Sequence, residues 1–135
     1  MTTDLIYSPR KNRILDCTEC VFTLDEKKPI ANSVLEHLRL NKPSFRVDHE
    51  TINEVDQVMP YFAGLTSLRS FSMQDSVMQS LAFMKGWQQI QELHLENNAI
   101  TDVQPLVHLS NLKKLYLAGN PVRNATVLSE QAHVY

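Results

Sequence analysis

Apolar positions in the second half of the chain return on a 22-residue step. Leu68-Arg69-Ser70-Phe71-Ser72-Met73 reappears as Ile90-Gln91-Glu92-Leu93-His94-Leu95, and again as Leu112-Lys113-Lys114-Leu115-Tyr116-Leu117. Further apolar residues follow at fixed offsets: Leu81, Met84 and Trp87, then Val103, Leu106 and Leu109. A fixed period in the twenties predicts one supersecondary unit stacked on copies of itself. Within a unit, Leu93 and Leu95 alternate with polar residues, the period of a half-buried strand. Asn98 stands where the chain must leave that strand and turn. A buried asparagine there can bond backbone groups of its own and the neighbouring turn, making a ladder along the stack. Ile100, Val103, Leu106 and Leu109 then suit a short helical or 3-10 return, with Pro105 in its first turn, where a missing N–H costs little.

The run Ile90 to Ile100 resembles the leucine-rich repeat, L-x-x-L-x-L-x-x-N-x-I, in the 22-residue class found in phosphatase-regulator-like and internalin-like proteins. The resemblance is strong over residues 68–122 and weaker before them. The next unit supplies Leu112, Leu115, Leu117, Asn120 and Val122, and its Leu117–Val122 run looks like the ending common in terminal repeats of this class. The unit starting at Leu68 departs from the pattern, with Ser76 in place of the asparagine and Met78 in place of the isoleucine. The resemblance implies an α/β solenoid of about five units, with a parallel β-sheet on the concave face and helices or 3-10 turns on the convex face. It also implies a non-enzymatic role in protein–protein interaction, since most members of the family recognise other proteins.

Upstream, the spacing predicts strands centred on Phe22 and Phe45. The anchors Phe22, Phe45, Phe71, Leu93 and Leu115 then step by 23, 26, 22 and 22 residues. Residues 20–67 thus read as two long, degenerate units and residues 68–122 as three regular ones, all in a single domain spanning 1–135. Val55, Val58, Met59, Phe62 and Leu65 keep an i, i+3, i+4 stripe, which predicts an α-helix kinked at Pro60. Val34, Leu35, Leu38 and Leu40 read as the helix of the preceding unit, capped by Asn32 or Ser33. Residues 1–19 read as an N-terminal β-hairpin cap: Leu5-Ile6-Tyr7 and Ile14-Leu15-Asp16-Cys17 flank the turn-forming run from Ser8 to Asn12. Residues 123–135 read as a C-terminal cap, with a short amphipathic helix from Thr126 onward.

Bulk properties narrow the function classes. A formal net charge of −2 offers no basic field for nucleic acid. No apolar run reaches the 18 or so residues of a membrane span. The N-terminus lacks the basic start and apolar stretch of a secretory leader, so a cytoplasmic location is expected. Cys17 and Cys20 are the only cysteines. Without a second ligand pair they read as structural, with metal or redox chemistry the minor alternative. The acidic run Asp48, Glu50, Glu54 and Asp56 lacks the glycine and spacing of a calcium loop and reads as a solvated helix start. Trp87 reads as core, and no cofactor or phosphate-binding motif is present.

The resemblance places the residues between inward leucines on the concave, partner-facing side. These are Ser70, Ser72 and Gln74, then Glu92, His94 and Glu96, then Lys114 and Tyr116, with Ala118 and Gly119 leaving a bare edge. Ser44, Arg46 and Asp48 are expected to continue the row. Successive strands lie about 4.8 Å apart, so Ser72, His94 and Tyr116 are lateral neighbours, as are Ser70, Glu92 and Lys114. Tyr116 is the expected anchor, because tyrosine is enriched among binding hot spots, and Glu92 with Glu96 would prefer a basic group on the partner. A hydrolase using Ser72 and His94 is the remote alternative, lacking an oxyanion site and a water-excluding pocket. The leading expectation is a module binding one protein partner as a regulator, adaptor or inhibitor, of which a bacterial immunity or effector protein is one form. The alternative is a structural subunit or fragment docking through its C-terminal end into a larger assembly or homodimer, and the chain is expected to be a monomer or a weak dimer through that end.

Overall fold

A computed structural model describes residues 13–25, 30, 34–47 and 50–135. Among the described residues nine strands form two sheets: β1 (Ile14–Thr18), β2 (Val21–Leu24), β3 (His37–Asn41), β4 (Ser44–Val47), β5 (Glu50–Ile52), β6 (Ser70–Ser72), β7 (Glu92–His94), β8 (Lys114–Tyr116) and β9 (His133–Val134). The main sheet has the order β1-β3-β6-β7-β8-β9, and every neighbouring pair in it is parallel. A smaller sheet joins β2 to β4 in parallel and β4 to β5 antiparallel.

The register of the main sheet sets Leu15, Leu38, Phe71, Leu93, Leu115 and Val134 side by side. Four residues after each of the first five anchors the chain turns through a left-handed backbone. Glu19, Lys42, Asp75 and Asn97 have φ of 58°, 52°, 57° and 59°, and Gly119 has φ of 80°. The repeat is therefore a strand followed by a fixed corner. At the last corner a Cβ on Gly119 would press on the Asn97 side chain and sit in the left-handed region, so glycine is favoured there.

This register corrects the predicted N-terminal anchors. Phe22 and Phe45 lie in β2 and β4 of the smaller sheet, seven residues beyond the true anchors Leu15 and Leu38. They fill the place that Ile100 takes after Leu93. Leu38 and Leu40, expected on a helix, belong to β3. Ile14–Thr18, expected as the second arm of a hairpin cap, is the first strand of the main sheet. The first arm, residues 5–7, and the proposed caps Asn32 and Ser33 lie outside the described residues. Each early unit holds two alternating apolar strands separated by its corner, so the alternation alone fits either strand to the concave face. The long step is the one from Leu38 to Phe71, and it contains the β4–β5 hairpin.

The convex returns are 3-10 turns throughout the described residues: Val55–Gln57, Met59–Phe62, Ala82–Gly86, Gln104–His108 and Ala125–Leu128. The α-helix predicted over Val55–Leu65 is thus two 3-10 turns, closed by bonds such as Val58 N–H to Val55 O and Ala63 N–H to Pro60 O. Pro60 has no N–H to contribute to an α-helical ladder, which helps split the stretch. Its apolar stripe is nonetheless buried, along with Leu81, Met84, Trp87, Val103, Leu106 and Leu109. The helix expected from Thr126 is one 3-10 turn followed by β9, just after which the Tyr135 N–H donates to Leu115 O at 2.7 Å. Cys17 and Cys20 are disulfide-bonded across the corner at Glu19, with Cα atoms 5.9 Å apart. Bonds of this kind persist mainly in oxidising surroundings.

Asn98 is buried and carries the predicted ladder. Its Oδ1 accepts from the Ser76 and Met78 N–H groups, each at 3.1 Å, and its Nδ2 donates to Met73 O at 2.8 Å and Leu95 O at 3.0 Å. Asn120 repeats the arrangement with Ile100 N–H, Leu95 O and Leu117 O. Ser76 cannot do this, so Asn98 serves the turns of two units. On the convex edge, Asp102 accepts from the Gln104 N–H at 2.8 Å and the Asn124 amide at 2.7 Å. These bonds, the Gln104 one foremost, hold the carboxyl of Asp102 below its ordinary pKa. The stabilisation it brings is present above the unfolded-state pKa and fades as pH falls through the folded one.

Val77, between the two N–H groups bound by Asn98, adopts φ of 56° and is 68% exposed. A branched side chain in that region is strained by about 1–2 kcal/mol, with no packing to offset it. Val77→Asn is expected to raise stability by about 1 kcal/mol, read from the midpoint of urea unfolding at unchanged slope. An unchanged or lower midpoint would show that the corner is not strained.

Candidate protein-interaction face

Alternation within each strand turns every second side chain onto the concave side of the main sheet. The parallel register then sorts these side chains into rows across it. One row runs Ile14, His37, Ser70, Glu92, Lys114, His133. The next runs Asp16, Arg39, Ser72, His94, Tyr116 and ends on Tyr135. Gln74 and Glu96 lie two residues further along their strands, next to the exposed Ala118.

The predicted residues Ser70, Ser72, Gln74, Glu92, His94, Glu96, Lys114 and Tyr116 all fall in this array. Arg46 does not: it lies in β4, in the smaller sheet, paired in register with Thr23 and Thr51. Ser44 opens the same strand, and Asp48 lies outside the described residues. The place given to Arg46 is filled by Arg39. Asp16, His37, Arg39 and Tyr135 are the site residues that sequence reasoning missed. The Leu38-Arg39-Leu40 spacing, the same as Leu93-His94-Leu95, was the signal available for Arg39.

The second row is built largely from planar groups. His94 and Tyr116 are stacked with ring centroids 4.2 Å apart and planes within 8°, and Tyr116 and Tyr135 follow at 4.8 Å and 17°. In-register parallel strands about 4.8 Å apart hold like side chains at stacking distance, which is why three rings line up here. Tyr116 therefore has both faces covered and offers its edge and hydroxyl. Tyr135, at the end of the stack, is 57% exposed. At the other end Arg39 pairs with Asp16 at 3.5 Å.

Ser72 and His94 are lateral neighbours as expected, but their nearest partners are other groups. Ser72 is only 6% exposed and accepts from the Gln74 amide at 3.4 Å. His94 Nε2 lies 3.6 Å from a Glu92 carboxylate oxygen while its ring stacks on Tyr116. The serine–histidine contact in this face is a different one, Ser70 Oγ to His37 Nδ1 at 2.7 Å. Along the entry edge of the strands, Glu36 is clamped by Arg13 and Arg69, each at 3.2 Å. Glu96 keeps one buried carboxylate oxygen, Oε1, without a hydrogen-bond partner.

Residues 88–130 match the family model for leucine-rich repeats in two copies. Among solved structures, internalin C2 from Listeria monocytogenes aligns with a TM-score of 0.60 at 20% identity, covering 85% of this chain and 51% of that one. An internalin of the same organism, inlF, aligns with a TM-score of 0.58 at 16% identity, covering 85% of this chain and 40% of that one. The chain thus spans about half or less of the length of the internalins it resembles. A comparison with curated proteins finds no match. Domains built from this repeat generally serve protein–protein interaction. With its strand-and-corner repeat, its asparagine ladder and these likenesses, the chain has the leucine-rich-repeat fold seen in internalins, and residues 88–130 carry the family's repeat.

Proposed function

We propose that this protein is a non-enzymatic binding module that holds one protein partner against the concave face of its main sheet. The observation carrying this reading is the stacked row His94–Tyr116–Tyr135, set beside Glu92 and Glu96 on an open surface. Stacking fixes the rings before a partner arrives, so little side-chain entropy is lost on binding. Tyrosine and histidine in such a row give apolar area with polar tips, the composition of interface hot spots. The carboxylates of Glu92 and Glu96 favour a basic group on the partner at that rim. Ser72 and His94 read as part of this surface and not as a nucleophile and base, since each is engaged elsewhere. The role read here is that of a regulator, adaptor or inhibitor of a single partner, of which an immunity or effector protein is one form.

The double variant Tyr116→Ala/Glu92→Lys tests the reading. Both side chains are partly exposed, so the melting temperature is expected to change little. Capture of the co-purifying partner from the source cell is expected to fall by about tenfold or more, the scale of losing one central anchor. Unchanged capture by a folded variant refutes the concave-face assignment.

A further inference from the structure

The planar row is interrupted at Ser72. On one side stands the outer face of the His94 imidazole, and on the other the guanidinium-bearing Arg39, with Ser72 between them in register. The gap is a cleft of about 300 Å³, floored by Ser70 and Ser72 and walled by His37 and Arg39 opposite Glu92 and His94. Ser72 is 6% exposed although its strand faces solvent, because taller neighbours stand over it.

We propose that this cleft is a slot for one aromatic side chain of the protein partner, which completes the stack. Two strand steps of about 4.8 Å separate the walls by roughly 9.6 Å. A ring at the centre would then sit about 4.8 Å from each wall, the spacing the chain itself uses between Tyr116 and Tyr135. His94 offers a stacking face, and Arg39 a cation within reach of the ring quadrupole. Arg39 is held by Asp16 at 3.5 Å. At the mouth Ile14, 64% exposed, gives the ring edge an apolar contact. A basic side chain would meet Arg39 as a like charge and Glu92 and Asp16 as opposite ones, so stacking and not charge selects an aromatic guest. The proposal rests on the concave-face reading and deepens it.

The probes are N-acetyl-tyrosinamide, N-acetyl-leucinamide and N-acetyl-argininamide, titrated into the isotope-labelled protein and followed by NMR. Saturable ring-current shifts at Ser70, Ser72 and His94 are expected with the tyrosine amide, and at least about tenfold weaker binding of the other two. Ser72→Tyr should fill the slot with the chain's own ring and abolish the response, and Arg39→Gln should weaken it. A folded Ser72→Tyr that still responds, equal responses to leucine and tyrosine amides, or tighter binding of the arginine amide would each overturn the slot. The same holds for shifts confined to Tyr135 or for no shifts at all. If the slot fails in this way while Tyr116→Ala/Glu92→Lys still loses its partner, the concave-face reading stands without it.

Discussion

Trp87→Ala is expected to remove about 3–5 kcal/mol of stability, the scale for deleting a buried tryptophan. The indole is 0% exposed and lies edge-on to Phe71 at 4.9 Å and Phe83 at 5.3 Å. Its Nε1–H donates to Phe62 O at 3.2 Å, so truncation removes a buried hydrogen bond as well as leaving a cavity, although that carbonyl keeps its bond from the Leu65 N–H. That bond ties the long unit containing Phe62 to the first regular unit, which gives the residue a second role. In a stack, stability is the sum of unit and neighbour terms, and weakening one junction can split a single transition into two. Urea unfolding followed by far-UV circular dichroism should show a lower midpoint, a second step, or both. Trp87→Phe keeps most of the packing and gives up one hydrogen bond without orphaning its acceptor, so it should lose about 0.5–1.5 kcal/mol. A loss under about 1 kcal/mol in Trp87→Ala would mean that the indole is not at the centre of the core.

The architecture was legible where one signal had one reading. From Leu68 onward, strand, asparagine and convex residues come at unvarying offsets, and the register follows the period without a slip. In the first half, Leu15-Asp16-Cys17 and Phe22-Thr23-Leu24 alternate equally well, as do Leu38-Arg39-Leu40 and Phe45-Arg46-Val47. Only the corner between them decides which strand faces inward. That corner is left-handed at Glu19 and Lys42, residues with none of the conformational bias of glycine or asparagine. The two phenylalanines drew the assignment because they are large. Their size serves instead the aromatic cluster of Phe22, Phe45 and Phe62, with centroids 5.7–6.4 Å apart.

The same slip explains what was missed in the site. Once Phe45 is taken as an anchor, Arg46 is forced onto the concave face and Arg39 off it. The regular half needed no such choice, so Ser72, His94 and Tyr116 emerged as neighbours from period alone. Tyr135 lay beyond reach, because the tail carries an apolar residue, Leu128, suited to a helix as much as to a 3-10 turn. Its strand exists through pairing with β8, a contact that no local pattern encodes.

Asn98→Ala is the other substitution of large effect, with an expected loss of about 3–5 kcal/mol. It strips the partner from two N–H groups, Ser76 and Met78, and from the Met73 carbonyl, while Leu95 O keeps its bond from Asn120. Their penalties, about 1–3 kcal/mol for each orphan, do not add in full because the turns relax. Asn120→Ala should cost less, since that side chain is only partly buried and serves the last turn. Asn98→Asp separates the ladder's two halves. A carboxylate can still accept from Ser76 and Met78 but sets a negative oxygen against Met73 O and Leu95 O. Protonation restores a donor, so the folded-state pKa of the new group should rise above its unfolded value. The stability deficit of Asn98→Asp is then largest at neutral pH and shrinks as pH falls through the raised folded pKa. Parallel urea titrations of wild type and variant at pH 7 and pH 5 measure this difference. A deficit independent of pH would mean that the amide nitrogen of Asn98 contributes little. The ladder would then be held by its oxygen alone, and the corners by the strands on either side.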